Sequence, residues 1–244
     1  MRIALISDIH GNCFALDVTL ADLRSQSVDQ IICLGDAIQG GAQPTETVQR
    51  LRELGCPIVM GNADAFLLGE EKGATEPVSQ QTRDVRAWTL SQLSADDQAF
   101  IRSFQPTVEA TLDDGQRLLC FHGSPTSYND ILLPRTPAEE WERVLGPYAP
   151  AIMTGGHTHT QQLRRMGGGM FFNPGSVGLA YDVLQAPDEL QMNAWAEYAV
   201  LTAEQGRLSL DFRRVPYDVE QIIAIYHASG RPHTESRIAE YRRA

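Results

Sequence analysis

The sequence predicts an α/β fold with a parallel sheet at its heart, and two observations carry that reading. Five short, continuous apolar runs recur through the first two thirds of the chain: Ile3–Ile6, Ile31–Leu34, Pro57–Met60, Leu118–Phe121 and Ala151–Met153. Unbroken runs, unlike alternating ones, suit strands buried on both faces. Helical patterns separate the first three, giving β-α-β-α-β and therefore parallel strands joined by right-handed crossovers.

Each element has a local cause. Phe14, Leu16, Leu20 and Leu23 recur on one helical face after Asn12, a good N-cap. Val48, Leu51 and Leu54 do the same before Gly55, a C-cap signal. From Ala63 to Gln116 the chain turns polar and helix-rich, with Ser94-Ala95-Asp96-Asp97 resembling a capping box ahead of Phe100, Ile101 and Phe104. This segment reads as a helical excursion above the sheet, over the active site. Beyond it come a hairpin around Gly167–Gly169 and a second around Glu204–Gly206, joining Tyr198–Leu201 to Leu208–Phe212. Helices are predicted near Asp218–Ser229 and Thr234–Arg243. The hairpins imply a second, mixed sheet. No repeat or low-complexity linker marks a boundary, so residues 1–244 read as one domain.

Composition narrows the function. With 20 Lys+Arg against 31 Asp+Glu the net charge is −11, and no run holds more than two consecutive Arg. Binding nucleic acid through phosphate neutralisation needs a basic stripe, so nucleic acid is not an expected partner, and neither is a polybasic membrane contact. No apolar stretch approaches the ~18 residues of a bilayer span. The N-terminus lacks a cleavage-site pattern. Cys13, Cys33, Cys56 and Cys120 lie at long, unequal intervals, three within or beside apolar runs. They read as buried thiols rather than a disulfide frame, which fits a reducing cytoplasm.

The chemistry sits where the runs end. The first ends in Asp8-Ile9-His10, the second in Gly35-Asp36, the third in Gly61-Asn62, the fourth in His122-Gly123 and the fifth in Gly156-His157-Thr158-His159. Ligands of open α/β sheets bind beyond the carboxyl ends of the strands. A lone Asp there is ordinarily a turn former, and a lone His a satisfied structural residue. Here five ends carry matching ligand types, and four of the six histidines sit at them. Imidazole with carboxylate and amide oxygen favours Mn, Fe, Zn, Co or Ni over a pure Mg or Ca cage. Asp-x-His and His-x-His each place two side chains on one side of an extended segment.

In order and spacing, Asp8-Ile9-His10-Gly11-Asn12, Gly35-Asp36, Gly61-Asn62-Ala63-Asp64, His122-Gly123 and Gly156-His157-Thr158-His159 resemble the calcineurin-like metallophosphoesterases, most closely their compact bacterial phosphodiesterase branch. The resemblance spans about residues 1–178. It implies a four-layer αββα sandwich of two mixed sheets flanked by helices, with a dinuclear metal centre. By motif position, Asp8, His10, Asp36 and His159 would hold one divalent ion. Asp36, Asn62, His122 and His157 would hold the other, with Asp36 as the bridge. One position departs from the pattern. Where family members commonly carry a His after the Asn, credited with protonating the leaving group, this chain has Ala63. Asp64, which would orient that His, is left as a cap or hydrogen-bond acceptor.

Two ions lower the pKa of a bridging water from 15.7 towards about 7 and clamp the phosphoryl oxygens in an in-line displacement. The expected reaction is therefore hydrolysis of a small phosphate ester, a diester ahead of a monoester, by metal-bridging hydroxide. Asp36, Asn62 and His122 stand closest to the chemistry. The alternatives are a protein Ser/Thr or nucleotide phosphomonoesterase, and a binding scaffold that keeps the fold without catalysis. Intact ligand positions favour the enzyme. Asn173-Pro174-Gly175-Ser176-Val177-Gly178 also recurs in this branch, either as a Pro-Gly turn closing a strand or as support for the His157/His159 loop. Tyr128, Trp88 and Arg135 are further candidates for a substrate cleft. A homo-oligomer is compatible with the sequence.

Overall fold

A computed structural model describes residues 1–70, 78–113, 115–149, 151–186 and 190–242. Strands β1 (Arg2–Ile6), β2 (Gln30–Cys33), β8 (Trp195–Glu204) and β9 (Arg207–Pro216) form a sheet of order β2-β1-β8-β9. Strands β3 (Val108–Thr111), β4 (Arg117–Cys120), β5 (Ile152–Thr154), β7 (Gly169–Asn173) and β6 (Gln162–Met166) form the second, in that spatial order. Both are mixed. β1 runs parallel to β2 and antiparallel to β8, while β4, β5 and β7 are parallel with antiparallel strands at each edge.

The period of two along β1 explains the layering. Ile3 and Leu5 face Leu118, Cys120, Ile152 and Phe172 of the other sheet, whereas Ala4 and Ile6 face Leu16, Val48 and Leu51. Those last three come from helices α1 (Cys13–Leu23) and α2 (Pro44–Leu54). On the far side, Leu119, Phe121, Met153 and Phe171 receive Trp141, Val144 and Leu145 of helix α6 (Ala138–Leu145). Helices therefore flank two face-to-face sheets, in four layers. Helices α7 (Val219–Ser229) and α8 (Thr234–Arg242) pack against Leu179 and Met192 through Ile222, Ile223, Tyr226, Ile238 and Tyr241.

The caps read from the sequence form as expected. Asn12 Oδ1 accepts from Ala15 N–H at 3.0 Å, Gly55 closes α2 in the left-handed region, and Ser94 and Asp97 make a reciprocal capping box. Three expectations need correcting. Pro57–Met60 forms no extended strand, only single parallel bridges from Ile58 to Cys33 and from Val59 to Gln105. At Gly61 the chain passes so close to Asp36 that a Cβ would collide with its backbone, and the run turns at once into helix α3 (Asn62–Leu68). The hairpin β8–β9 completes the first sheet on β1 rather than joining the second. The segment 63–116 contributes α3, α4 (Gln80–Gln92) and α5 (Ala95–Arg102), but from Val108 it is already sheet. Leu67, Leu93, Ile101 and Phe104 turn into the core beneath, so those described residues buttress the sheet; residues 71–77 lie outside the description.

All four cysteines are free, three of them buried and Cys56 half-buried. Burial pushes the Cys56 thiol up to about 11 and that of Cys33 well above its ordinary value, which leaves them as unreactive thiols. Among the described residues no helix is long and apolar enough to cross a membrane.

Candidate metal centre

Seven residues nominated from the sequence converge at the carboxyl edges of the two sheets. Asp8 and His10 follow β1, Asp36 follows β2, and Asn62 opens α3. His122 follows β4, while His157 and His159 follow β5. Five of them (Asp8, His10, Asp36, His157 and His159) have φ between 49° and 68°. Left-handed backbone is disfavoured for residues with a Cβ and persists where the surroundings over-determine it, characteristically at functional sites.

The hydrogen bonds on the imidazoles fix their tautomers. Nδ1 of His10 meets Gln39 O at 2.8 Å, Nδ1 of His122 meets Leu34 O at 2.8 Å, and Nδ1 of His159 meets Leu179 O at 2.7 Å. A carbonyl oxygen only accepts, so each Nδ1 carries the proton and each Nε2 turns its lone pair inward in the neutral ring. The Nε2 atoms of His10 and His159 approach to 3.1 Å. Two lone pairs at that distance would repel, so the rings share one cation there, a proton on His159 Nε2, which Asp8 favours, or a metal ion in its place.

The carboxylates are held by one oxygen and open at the other. Asp8 Oδ2 accepts from His157 N–H at 3.1 Å, while the fully buried Oδ1 has no hydrogen-bond partner and lies 3.2 Å from His159 Nε2. Asp36 Oδ1 accepts from Ala63 N–H at 2.7 Å, and its Oδ2 lies 3.7 Å from His10 Nε2 and 3.4 Å from His122 Nε2. Asn62 Oδ1 is 3.0 Å from His122 Nε2. Among the described residues two groups could hold a metal ion: Asp8 with His10 and His159, and Asp36 with His122 and His157. Asp36 Oδ2 faces both.

Electrostatics follow from burial and crowding. Burial pushes the Asp36 carboxyl up, but His122, His10 and His157 together carry it well below the usual carboxylate range. Burial opposes charge on His122 too, yet Asp36 and Asp8 raise it to about 9, whereas burial and the neighbouring His122 take His157 down to about 4. Asp64 is pushed up to about 7 by burial and by Asp36. Its two oxygens accept from Ala37 N–H and Ile38 N–H, both at 3.0 Å. It thus ties down the loop after Asp36 and is not aimed at position 63.

The Asn173–Gly178 loop supports the centre from behind. Asn173 Nδ2 donates to Gly156 O at 2.6 Å and to Thr158 Oγ1 at 3.1 Å, and Ser176 Oγ donates to Asp8 O at 2.8 Å. Five of the seven, His10, Asp36, Asn62, His157 and His159, open onto a cavity of about 560 Å³, lined also by Ala63, by Leu179, Tyr181 and Met192 among others, and by Arg237 of α8, while Asp8 and His122 lie fully buried beneath it. Among the described residues of the segment 63–116 only Ala63 lines this cavity, and Trp88, Tyr128 and Arg135 do not line it. Tyr181 and Arg237 are not legible as site residues in the sequence, since both lie beyond the last motif and neither belongs to a ligand pattern.

Over residues 1–205 the sequence matches the calcineurin-like phosphoesterase superfamily domain. The chain belongs to that superfamily. A metallophosphoesterase from Sphaerobacter thermophilus is 25% identical, with a TM-score of 0.74 over 98% of both chains. A hypothetical protein of Pyrococcus horikoshii OT3, PH1004, shares the fold at a TM-score of 0.82 and 17% identity, over 98% of this chain and 97% of that one. An uncharacterized Methanocaldococcus jannaschii protein, MJ0912, is 25% identical across 90% of this chain and 89% of its own length. The superfamily depends on divalent metals, and the two triads are this member's candidate sites.

Proposed function

We propose that this superfamily member is a hydrolase of small phosphate esters, diesters ahead of monoesters, built around two divalent ions. Asp8, His10, Asp36 and His159 would hold one, and Asp36, Asn62, His122 and His157 the other. The observation that carries this reading is the pinning of three Nδ1–H groups to backbone carbonyls, which turns three Nε2 lone pairs towards the open oxygens of Asp8 and Asp36. Bound there, the ions would supply Lewis acidity towards the phosphoryl oxygens and acidify water to a nucleophile near neutral pH.

The chain's own residues orient and exclude. Asp36 keeps Oδ1 on Ala63 N–H, so only Oδ2 is free for the shared position. Asp8 and Asp36 bring two negative charges against four positive ones, so an anionic substrate meets a positive site on a chain of net charge −11. Donor softness supports Mn, Fe, Zn, Co or Ni. Elemental analysis of the purified protein, with paired diester and monoester nitrophenyl substrates, tests the proposal. Two transition ions per chain and chelator-sensitive hydrolysis are expected. Fewer than one ion per chain in active protein, or hydrolysis that survives complete chelation, would overturn it. The binding-scaffold alternative is met by the same measurement, since a scaffold would turn over neither substrate when loaded.

A further inference from the structure

The cavity over the metal-ligand cluster has a second cationic end. Arg237 lies on α8, beyond the matched superfamily domain, and its side chain is mostly buried in the cavity wall. Nη1 donates to Glu240 Oε2 at 2.6 Å. A guanidinium has five N–H donors in a rigid fork, and the others have no acceptor among the described residues. A mostly buried guanidinium whose remaining N–H groups face the cavity and its solvent can take up the oxygens of an anionic ligand.

The wall between the two ends is apolar, with Leu179, Val183, Leu190 and Met192 facing the cavity. Tyr181 adjoins both ends: its ring centroid is 5.0 Å from that of His159, and the charge of Arg237 reaches its hydroxyl. The wall is fixed to α8 by Met192 N–H donating to Glu240 O at 2.9 Å, and closed on itself where Gln185 bonds both backbone groups of Gln191. Among the described residues the opposing charges here are Glu240, already paired with Arg237, and Asp182. Asp182 lines the same cavity, but it is exposed to solvent and its Oδ1 accepts from Leu184 N–H at 2.9 Å. A volume of about 560 Å³ is in the range of sites for whole organic ligands rather than a bare phosphate.

Resting on the phosphoesterase reading above, we propose that Arg237 is a specificity-determining residue. It binds a second anionic group of the substrate, so preferred esters carry an apolar or aromatic body with a carboxylate or phosphate remote from the scissile phosphorus. The phosphoryl group occupies the metal end, the body lies against Leu179, Val183, Leu190 and Met192, and the second anion takes the remaining donors of Arg237.

Two non-hydrolysable probes test this on metal-loaded protein by calorimetry: phenylphosphonate and 4-carboxyphenylphosphonate. A charge-assisted hydrogen bond predicts that the carboxylate improves Kd by about tenfold or more. Arg237→Gln should abolish that preference while leaving phenylphosphonate affinity within about twofold, and Arg237→Lys should retain part of it. Glu240→Gln, which frees the guanidinium, should enlarge the preference, so the test does not depend on one variant folding. Equal binding of both probes by the unaltered protein, or a preference unchanged in folded Arg237→Gln, overturns the inference alone. Binding of neither probe by protein with two ions per chain overturns the phosphoesterase reading, and the inference with it.

Discussion

Asp36 and Ala63 are locked together by a 2.7 Å hydrogen bond from the Ala63 backbone N–H to Asp36 Oδ1, which leaves Oδ2 as the one oxygen facing both His10 and His122. A single side chain therefore links the two halves of the centre, and its orientation is set by the start of α3. Gly61 is required for that approach, because a Cβ there would overlap Asp36.

Asp36→Asn should consequently cost more than loss of any terminal ligand. The amide can keep its bond to Ala63 only by turning its NH₂ towards His10 and His122, which removes the shared acceptor. We expect both ions to be lost and kcat/KM to fall by well over about 100-fold, beyond the 10–100-fold typical of residues that merely support ligands. His159→Ala should release mainly one ion. Metal-to-protein ratios for the two variants decide the matter, and equal stoichiometry would contradict the bridging assignment.

The pH dependence of metal uptake follows from His122. Without metal its pKa is raised from 6.5 to about 9, with burial opposed by Asp36 and Asp8. A divalent ion must displace that proton, so affinity should climb from pH 6 to pH 9. The metal-free protein should show the linked stability effect with the opposite sign. A raised pKa contributes stability that is complete below about 6.5 and lost as pH rises through about 9. Chelated protein should therefore melt at progressively lower temperature across that window, while loaded protein does not. A flat profile for both would remove His122 from the account.

Much of this centre is legible in the sequence because ligand type and strand end coincide. Asp8, Asp36, His122 and His157 each follow an unbroken apolar run, and the hydrophobic pattern alone locates those ends. What escaped was decided by tertiary contact. The run Pro57–Met60 has strand composition, yet close passage of Gly61 over Asp36 ends it after isolated bridges. The hairpin β8–β9 has no local feature that tells one sheet from the other; Ala196, Tyr198 and Val200 pack against the helices while Ala199, Leu201 and Ala203 fill the inter-sheet core. Arg237 looks like an ordinary helical i,i+3 partner of Glu240 until α8 is docked beside the cavity.

Asn173 should matter more than a turn residue would. It donates to Gly156 O and Thr158 Oγ1, and its Oδ1 accepts from Gly175 N–H at 2.8 Å, all in a buried setting. Asn173→Ala leaves the buried Gly175 N–H without its acceptor, while Gly156 O keeps only its bond from Thr158 N–H, at a cost of about 1–3 kcal/mol. Loosening the loop that carries His157 and His159 should weaken metal affinity about 10–100-fold. Thermal melting and metal titration read the two effects separately. A variant that loses stability but binds metal normally would reduce the loop to a strand closure.

Ala63 makes the last prediction. It faces the cavity where relatives with the full motif would present an imidazole, and Asp64 cannot substitute, since both its oxygens hold backbone N–H groups of Ala37 and Ile38. General acid assistance is worth about 10²–10⁴-fold. An enzyme without it should depend steeply on leaving-group quality, hydrolysing nitrophenyl esters far faster than alkyl esters. Ala63→His should narrow that gap by raising the alkyl rate more than the nitrophenyl rate. The gain should fall short of the full factor, because Asp64 is already committed and does not orient the new ring. The slope of log kcat against leaving-group pKa, measured for both proteins where product release is not limiting, is the deciding quantity. A shallow slope in the unaltered protein would mean that another proton donor, such as the Tyr181 hydroxyl on the cavity wall, already serves the leaving group.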